Sequence, residues 1–195
     1  MKVETQNPNI VRIAYHQEPG DHLYGSCLWA YFDFDLDRYM LNIQSDAGNA
    51  AYRWCETPES ESFLQLMARI DDDYLIYKLF RDEEVDIDAT KEVVREYLES
   101  GDMDEGELAD AMESLDNMLD ENDVSHSIGM AYRVLEDWND ENELEIDMAF
   151  ELVKTDFSAW QKRIVQIFMD HIQPEIAKLA AKEATDARDT TKNTR

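Results

Sequence analysis

Residues 102–123, DMDEGELADAMESLDNMLDEND, constrain the fold more than any other segment of this 195-residue chain. The segment holds ten acidic residues and no lysine or arginine. Its apolar residues Leu108, Met112, Leu115 and Leu119 recur at i, i+4, i+7 and i+11, which places them within a helical stripe about 60° wide. The pattern therefore predicts a helix that packs one narrow stripe against other elements and exposes carboxylates elsewhere.

The carboxylates of this predicted helix form a candidate partner-binding surface, the acidic face: Glu105, Glu107, Asp110, Glu113, Asp116, Asp120 and Glu121. A second acidic patch on a later helical segment consists of Glu136, Asp137 and Asp140. Carboxylates four residues apart repeat about every 6 Å along a helix, comparable with the few-ångström step of phosphates along one DNA strand. The acidic face can therefore enter a basic cleft in place of nucleic acid. The alternative is a merely solvated helix surface.

The formal net charge of −27 is unevenly distributed along the chain. Residues 1–80 have a net charge of −7, residues 81–150 of −21 and residues 151–195 of +1. Nucleic acids and anionic membranes are bound through lysine and arginine, so this charge disfavours direct binding of either. A general adaptation to salt would acidify the whole surface, whereas a regional acidity favours a basic partner.

Strand patterns occupy the N-terminal part of the chain: residues 10–15, 27–34, 39–45 and 50–55. In the third of these segments Tyr39, Leu41 and Ile43 alternate with polar residues, as in a strand with one buried face. Gly48 lies in the turn after it and is able to take a positive φ. Strands joined by short turns predict an antiparallel meander of three or four strands.

Helical patterns follow the strands. Thr57 and Pro58 carry start signals for a helix over residues 58–70, residues 71–80 favour a second helix, and residues 143–153 fit either a strand or a helix. The predicted fold class is α+β. Its predicted parts are a sheet with packed helices over 1–85, a mainly helical acidic region over 86–185 that either packs with the first or stands apart, and a flexible tail over 186–195.

One acidic segment overlaps the spacing of a calcium loop. Counted from Asp102, acidic residues fall at positions 1, 3, 9 and 12 of an EF-hand. Gly106 and Glu107, however, stand at positions 5 and 6, where an oxygen ligand and a glycine are required. A capped acidic helix is the better interpretation.

Asp33, Asp35 and Asp37 alternate as residues on one side of a strand do. Aligned carboxylates can hold Mg²⁺ in a nuclease, and the alternative is a polar hairpin turn. His171 is expected on the buried side of its helix. The chain has no nucleophile motif and no phosphate loop, so we predict no catalytic residue, no metal and no cofactor.

The two cysteines, Cys27 and Cys55, lie in apolar strand-like segments and are expected to be reduced and buried, with a cross-linked strand pair as the alternative. No apolar run approaches the roughly 18 residues of a membrane span, and the polar N-terminus lacks a signal-peptide core. These features predict a cytoplasmic protein.

The segments YGSCLWAYFDFDLDRYMLNIQSDAGNAAYRW (24–54) and ESFLQLMARIDDDYLIYKL (61–79) resemble small uncharacterised proteins of phages and prophages. Genes of this kind often lie among inhibitors of bacterial defence, including anti-CRISPR and anti-restriction proteins. The resemblance implies a phage origin and supplies no catalytic residues.

Together these patterns predict a non-enzymatic inhibitor in the host cytoplasm. It would bind a basic nucleic-acid-binding surface of a bacterial defence complex as a nucleic-acid mimic. Two alternatives stay open: a metal-dependent nuclease acting on nucleic acid or guide RNA through the three aspartates, and an acidic scaffold or homodimerisation module.

Overall fold

The computed structural model describes residues 3–5, 7–21, 23–56, 61–101, 103–144 and 146–192, with side chains described as far as residue 186. In chain order the main elements are β1 (Ile10–His16), β2 (Trp29–Asp35), β3 (Met40–Ser45), β4 (Asn49–Arg53), α1 (Phe63–Arg69), α2 (Asp72–Leu79), β5 (Glu84–Val85), α3 (Ile87–Glu99), α4 (Glu105–Glu121), α5 (Ile128–Glu141), β6 (Thr155–Asp156), α6 (Ala159–Ile167) and α7 (Gln173–Lys192). The predicted α+β class, with an antiparallel meander followed by a mainly helical region, is confirmed.

The chain forms two compact units. The sheet unit comprises residues 1–81 and 159–195, and the helical unit comprises residues 82–158. From the sequence, the sheet unit has a net charge of −4 and the helical unit of −23. The helices α6 and α7 belong to the sheet unit, whereas the sequence pattern grouped them with the acidic helices of residues 86–185.

The sheet has the strand order β1-β2-β3-β4, and every neighbouring pair is antiparallel. Phe32 is opposite Ile13 on one side and Ile43 on the other, so these three side chains point to the same face. That face is covered by helices, and the ring centroids of Phe32 and Phe168 lie 6.1 Å apart. Phe34 likewise contacts Phe63 of α1, with ring centroids 6.3 Å apart. Aromatic packing thus joins the sheet to its helices.

Gly48 is required by close packing rather than by its backbone angle. A Cβ atom at this position would lie 2.4 Å from the indole ring of Trp160. The positive-φ glycines of the described residues are Gly20 and Gly25, so Gly48 does not use its freedom to take a positive φ. The turn instead brings the backbone against a ring from α6, a contact invisible in the local sequence.

The first two helices begin at capping side chains. Ser62 accepts from the backbone N–H of Gln65, and the Gln65 side chain accepts from the N–H of Ser62. The predicted cap at Thr57 and residues 58–60 lie outside the described residues. Asp71 caps α2, which confirms the helix predicted over residues 71–80.

Three of the four residues of the predicted apolar stripe of α4 are buried, and the fourth, Leu108, is half-buried. Met112, Leu115 and Leu119 are at most 5% exposed and pack with the stripe of α5. Trp138 of α5 is fully buried, and its indole N–H donates to the carbonyl of Ala111, 3.0 Å away. The donor that a buried tryptophan brings into the core is therefore satisfied.

Residues 143–153 are neither a regular strand nor an α-helix. A 3₁₀ turn spans Ala149–Leu152 and leads into β6, which pairs with β5. The buried Asn139 side chain donates to the carbonyl of Ile146 and accepts from its N–H, at 3.1 and 3.0 Å. This amide pair holds the segment against α5 without a regular hydrogen-bond ladder.

α6 and α7 are joined by a π-helical turn, Phe168–Ile172. Pro174 follows this turn and has no N–H to offer the preceding carbonyls, so the regular ladder is interrupted here. The backbone is helical as far as Lys192, which differs from the predicted tail from residue 186, and residues 193–195 lie outside the described ones. Within the described parts of the chain, no helix is both long enough and apolar enough to cross a bilayer.

Candidate protein-binding surface

The helix that carries the acidic face begins with a capping box. The Asp104 carboxylate accepts from the N–H groups of Gly106 and Glu107, at 2.8 and 2.9 Å. The Glu107 carboxylate accepts in return from the N–H of Asp104. Gly106 and Glu107 therefore belong to the first helical turn and do not form a calcium loop. Asp102, the first position of that hypothetical loop, lies outside the described residues.

All seven carboxylates of the acidic face are exposed. Two of them have partners, because Glu107 belongs to the capping box and Asp116 pairs with Lys91 of α3, at 2.8 Å. The other five form no hydrogen bond or ion pair with any described residue: Glu105, Asp110, Glu113, Asp120 and Glu121. They span about 160° of the helix circumference at 100° per residue. The structure thus brings the predicted residues onto one surface.

The second acidic patch divides in two. Glu136 is half-buried, and its carboxylate accepts from the backbone N–H of Phe150, 3.1 Å away. Asp137 and Asp140 are exposed and without a side-chain partner among the described residues. Glu136 therefore holds the 3₁₀ turn in place, and the other two carboxylates remain available to a partner.

An exposed apolar cluster adjoins this patch and was missed from the sequence. Tyr132 and Phe150 are 42% and 37% exposed, and their rings meet edge to face with centroids 5.7 Å apart. Met148, which begins the same turn, is 47% exposed and has a φ of 54°, uncommon for a residue with a side chain. The one sequence signal was that Tyr132 lies off the buried stripe of α5. We call Tyr132, Met148 and Phe150 the apolar anchor.

The three aspartates of the proposed metal site have separate partners. Asp33 forms a two-point ion pair with Arg12, at 2.5 and 2.6 Å. Asp35 is buried and accepts from two backbone N–H groups of the following turn, while Asp37 accepts from the N–H of Asn9. Among the described residues no three histidine, cysteine or acidic side chains are grouped as metal ligands.

Two predictions of burial are wrong. His171 is exposed and its ring lies against Tyr15, with centroids 5.3 Å apart, because the buried stripe runs through Ile164, Phe168 and Ile172 and not through the side of Trp160. Cys55 is exposed, since it follows the end of β4, whereas Cys27 is buried as predicted. Both thiols are free, and burial raises the pKa of Cys27 to about 11.

A family model described as a phage family matches residues 1–178. The chain belongs to this phage family. The match spans the four-stranded sheet and the whole helical unit, so the likeness to phage proteins seen in residues 24–79 extends over the acidic helices. No curated protein and no solved structure matches the chain. Membership of this phage family assigns no activity by itself.

Proposed function

We propose that this phage-family protein inhibits a bacterial defence complex, of the CRISPR–Cas or restriction type, by occupying its basic nucleic-acid-binding surface. The observation that carries the proposal is the set of five exposed, unpartnered carboxylates on α4, described above. Like charges on one helix face repel and destabilise the helix. A basic partner would convert that repulsion into complementarity and would accelerate association by electrostatic steering.

The apolar anchor supports a protein as the partner. Protein interfaces are enriched in tyrosine, phenylalanine and methionine at their centres, and a few such residues supply most of the affinity. Phe150 lies on the 3₁₀ turn that Glu136 holds, and Tyr132, whose ring meets that of Phe150, lies on α5, the helix that also carries the free carboxylates Asp137 and Asp140. Charge would select the basic surface, and the anchor would fill an apolar recess beside it.

The test is capture of host proteins by the immobilised chain at low and high salt, followed by challenge with nucleic acid. The Debye length falls from about 10 Å at about 0.1 M to about 3 Å at about 1 M, so contacts through exposed carboxylates weaken with salt. We expect a nucleic-acid-binding defence protein to be retained at low salt. We expect duplex DNA or guide RNA to release the captured protein, because a nucleic-acid mimic and the nucleic acid itself compete for the same site.

A matched pair of triple variants locates the contact. Asp110→Lys, Glu113→Lys and Asp120→Lys reverse three free carboxylates of the acidic face. Their control reverses three exposed residues of α3 in the same unit, with the same change of net charge: Glu92, Glu96 and Glu99. We expect the first variant to lose capture and the control to retain it. If both variants lose capture equally, net charge alone explains the binding. If neither salt nor nucleic acid weakens capture, the proposal of nucleic-acid mimicry is refuted.

The apolar anchor also favours one alternative, a homodimer formed through this patch. Sedimentation of the purified chain and of the variant Phe150→Ser separates the two functions. A monomer that still captures its partner supports the inhibitor. A dimer that dissociates in the variant, without any captured partner, supports the dimerisation module.

A further inference from the structure

A pocket of about 530 Å³ in the sheet unit has no part in the proposed function. It opens where the end of β1 and the loop after it face α6 and the π-helical turn. Its walls include Tyr15, His16, Glu18, Arg163, Asp170 and His171. We call it the β1–α6 pocket. Its volume is in the range of small-molecule sites.

Arg163 is the central cation of this pocket. Its Nη1 donates to the Gln166 side chain at 3.0 Å, and its Nη2 donates to the Tyr15 hydroxyl at 3.4 Å. Its Nε–H is buried and has no acceptor among the described residues. No described carboxylate pairs with it, although the chain has 45 acidic and 18 basic residues. The buried Nε–H is shielded from the pocket, but each Nη group carries a second N–H, so the guanidinium can still donate to a carboxylate or phosphate from its Nη side.

Tyr15 completes the donor group. Its hydroxyl accepts from Arg163, so its own proton is free to point into the pocket. Burial, with a smaller contribution from Asp21, raises the pKa of Tyr15, which keeps the hydroxyl protonated. The His171 ring lies against the Tyr15 ring with an interplanar angle of 30° and limits its movement. The donors are therefore held in place before any ligand arrives.

The pocket is polarised between its base and its rim. Tyr15 and Arg163 are half-buried, whereas His16, Glu18 and Asp170 are exposed. The carboxylates of Glu18 and Asp170 have no partner among the described residues. A simple anion would be attracted by Arg163 at the base and repelled by the carboxylates of Glu18 and Asp170 at the rim. A ligand that also carries hydroxyl or amine groups could donate hydrogen bonds to those carboxylates.

The π-helical turn supports a binding role for this rim. It places Asp170 and His171 in the pocket wall just before Pro174. π turns interrupt the regular hydrogen-bond ladder, and they are found frequently at functional sites. The turn lies within residues 1–178, the part that the phage family model covers.

We propose that the β1–α6 pocket binds a small ligand whose carboxylate or phosphate group is held by Arg163 and Tyr15, and whose hydroxyl or amine groups are held by Glu18 and Asp170. The imidazoles of His16 and His171 flank the ligand. This site lies in the sheet unit and is independent of the acidic face, so either proposal can fail alone.

The test is titration of the full chain with inorganic phosphate, ribose 5-phosphate and serine, followed by NMR of the arginine Nε–H groups. Binding should shift the Arg163 Nε–H signal. Ribose 5-phosphate binding more tightly than serine would identify the anionic group as phosphate, and the reverse order as carboxylate. We expect Arg163→Lys to weaken binding of the tighter ligand about tenfold, since lysine keeps the positive charge but loses the planar arrangement of guanidinium donors. The control Arg69→Gln removes an exposed arginine paired with Glu61 and should leave affinity unchanged.

The substitution Asp170→Asn should change the affinities of two kinds of ligand in opposite directions. Removing a rim carboxylate should strengthen binding of inorganic phosphate, which only suffers repulsion there, and should weaken the hydroxyl- or amine-bearing ligand. Far-UV circular dichroism verifies the fold of each variant. Absence of any shift at Arg163 with all three probes would overturn the proposal, as would equal affinities of Arg163→Lys and the parent chain.

Discussion

The two units of this protein differ in how their exposed carboxylates are paired. In the sheet unit, many acidic side chains meet cations or backbone donors, as in the pairs of Asp33 with Arg12 and Glu61 with Arg69, although Glu18 and Asp170 of the β1–α6 pocket do not. In the helical unit, Lys91 neutralises Asp116 of the acidic face, while most of that face meets water. Both units bury dense apolar cores, so acidity on this scale is compatible with folding when an apolar stripe secures each helix. This difference supports the proposal that a basic partner binds the helical unit.

The largest expected effect is on the core of the helical unit. Trp138→Ala removes a fully buried indole and its bond to Ala111, and should cost about 3–5 kcal/mol of unfolding free energy. Hydrogen exchange measured residue by residue will show whether the loss stays within residues 82–158. If the amide groups of the sheet lose protection from exchange equally, the two units unfold as one. That result would weaken the contrast between the two units.

A smaller effect is expected in the sheet unit from Gly48→Val. The added side chain must displace the Trp160 ring, and overpacking of this kind costs about 1–3 kcal/mol. Gly129→Ala is the control, because an added Cβ there meets no atom within 4 Å and alanine favours the helix. Urea denaturation should show opposite signs for the two substitutions. Equal stability of Gly48→Val and the parent would contradict the close packing described here.

The smallest effect is expected from salt. Screening relieves repulsion among the carboxylates of the helical unit, whose net charge is −23, more than in the sheet unit, whose net charge is −4. The helical unit should gain up to about 1 kcal/mol between low and moderate salt, measured by hydrogen exchange at both. A larger gain in the sheet unit would mean that the exposed acidic face carries little repulsion.

Local patterns predicted the elements well. The strand alternation in residues 39–45 and the helical stripe from Leu108 to Leu119 each depend on one face of a single element. Such patterns can be recognised from the sequence alone. The residues of the acidic face were predicted in the same way, since positions off a buried stripe face solvent. Whether a partner meets that face stays a prediction.

Other features depended on contacts that the periodicity of the sequence does not reveal. Glu107 and Asp116 looked like their neighbours on the acidic face, but a cap and a lysine of α3 engage them. His171 is exposed because the buried stripe of its helix runs through Phe168 and Ile172, which face the core together with Ile164. The apolar anchor and the β1–α6 pocket each bring together residues from separate segments of the chain. No sequence pattern links those segments.

The sequence by itself determined the α+β class, the meander, the acidic helix with its stripe, and the concentration of charge in residues 81–150. These follow from periodicity and composition, which act over one or two turns of chain. Only the tertiary structure decided that α6 and α7 return to the sheet, that Gly48 makes room for Trp160, and that Arg163 lines a pocket with no carboxylate partner among the described residues. Such contacts depend on which apolar faces fit together, and that selection is made by the packing of the whole core rather than by any local segment.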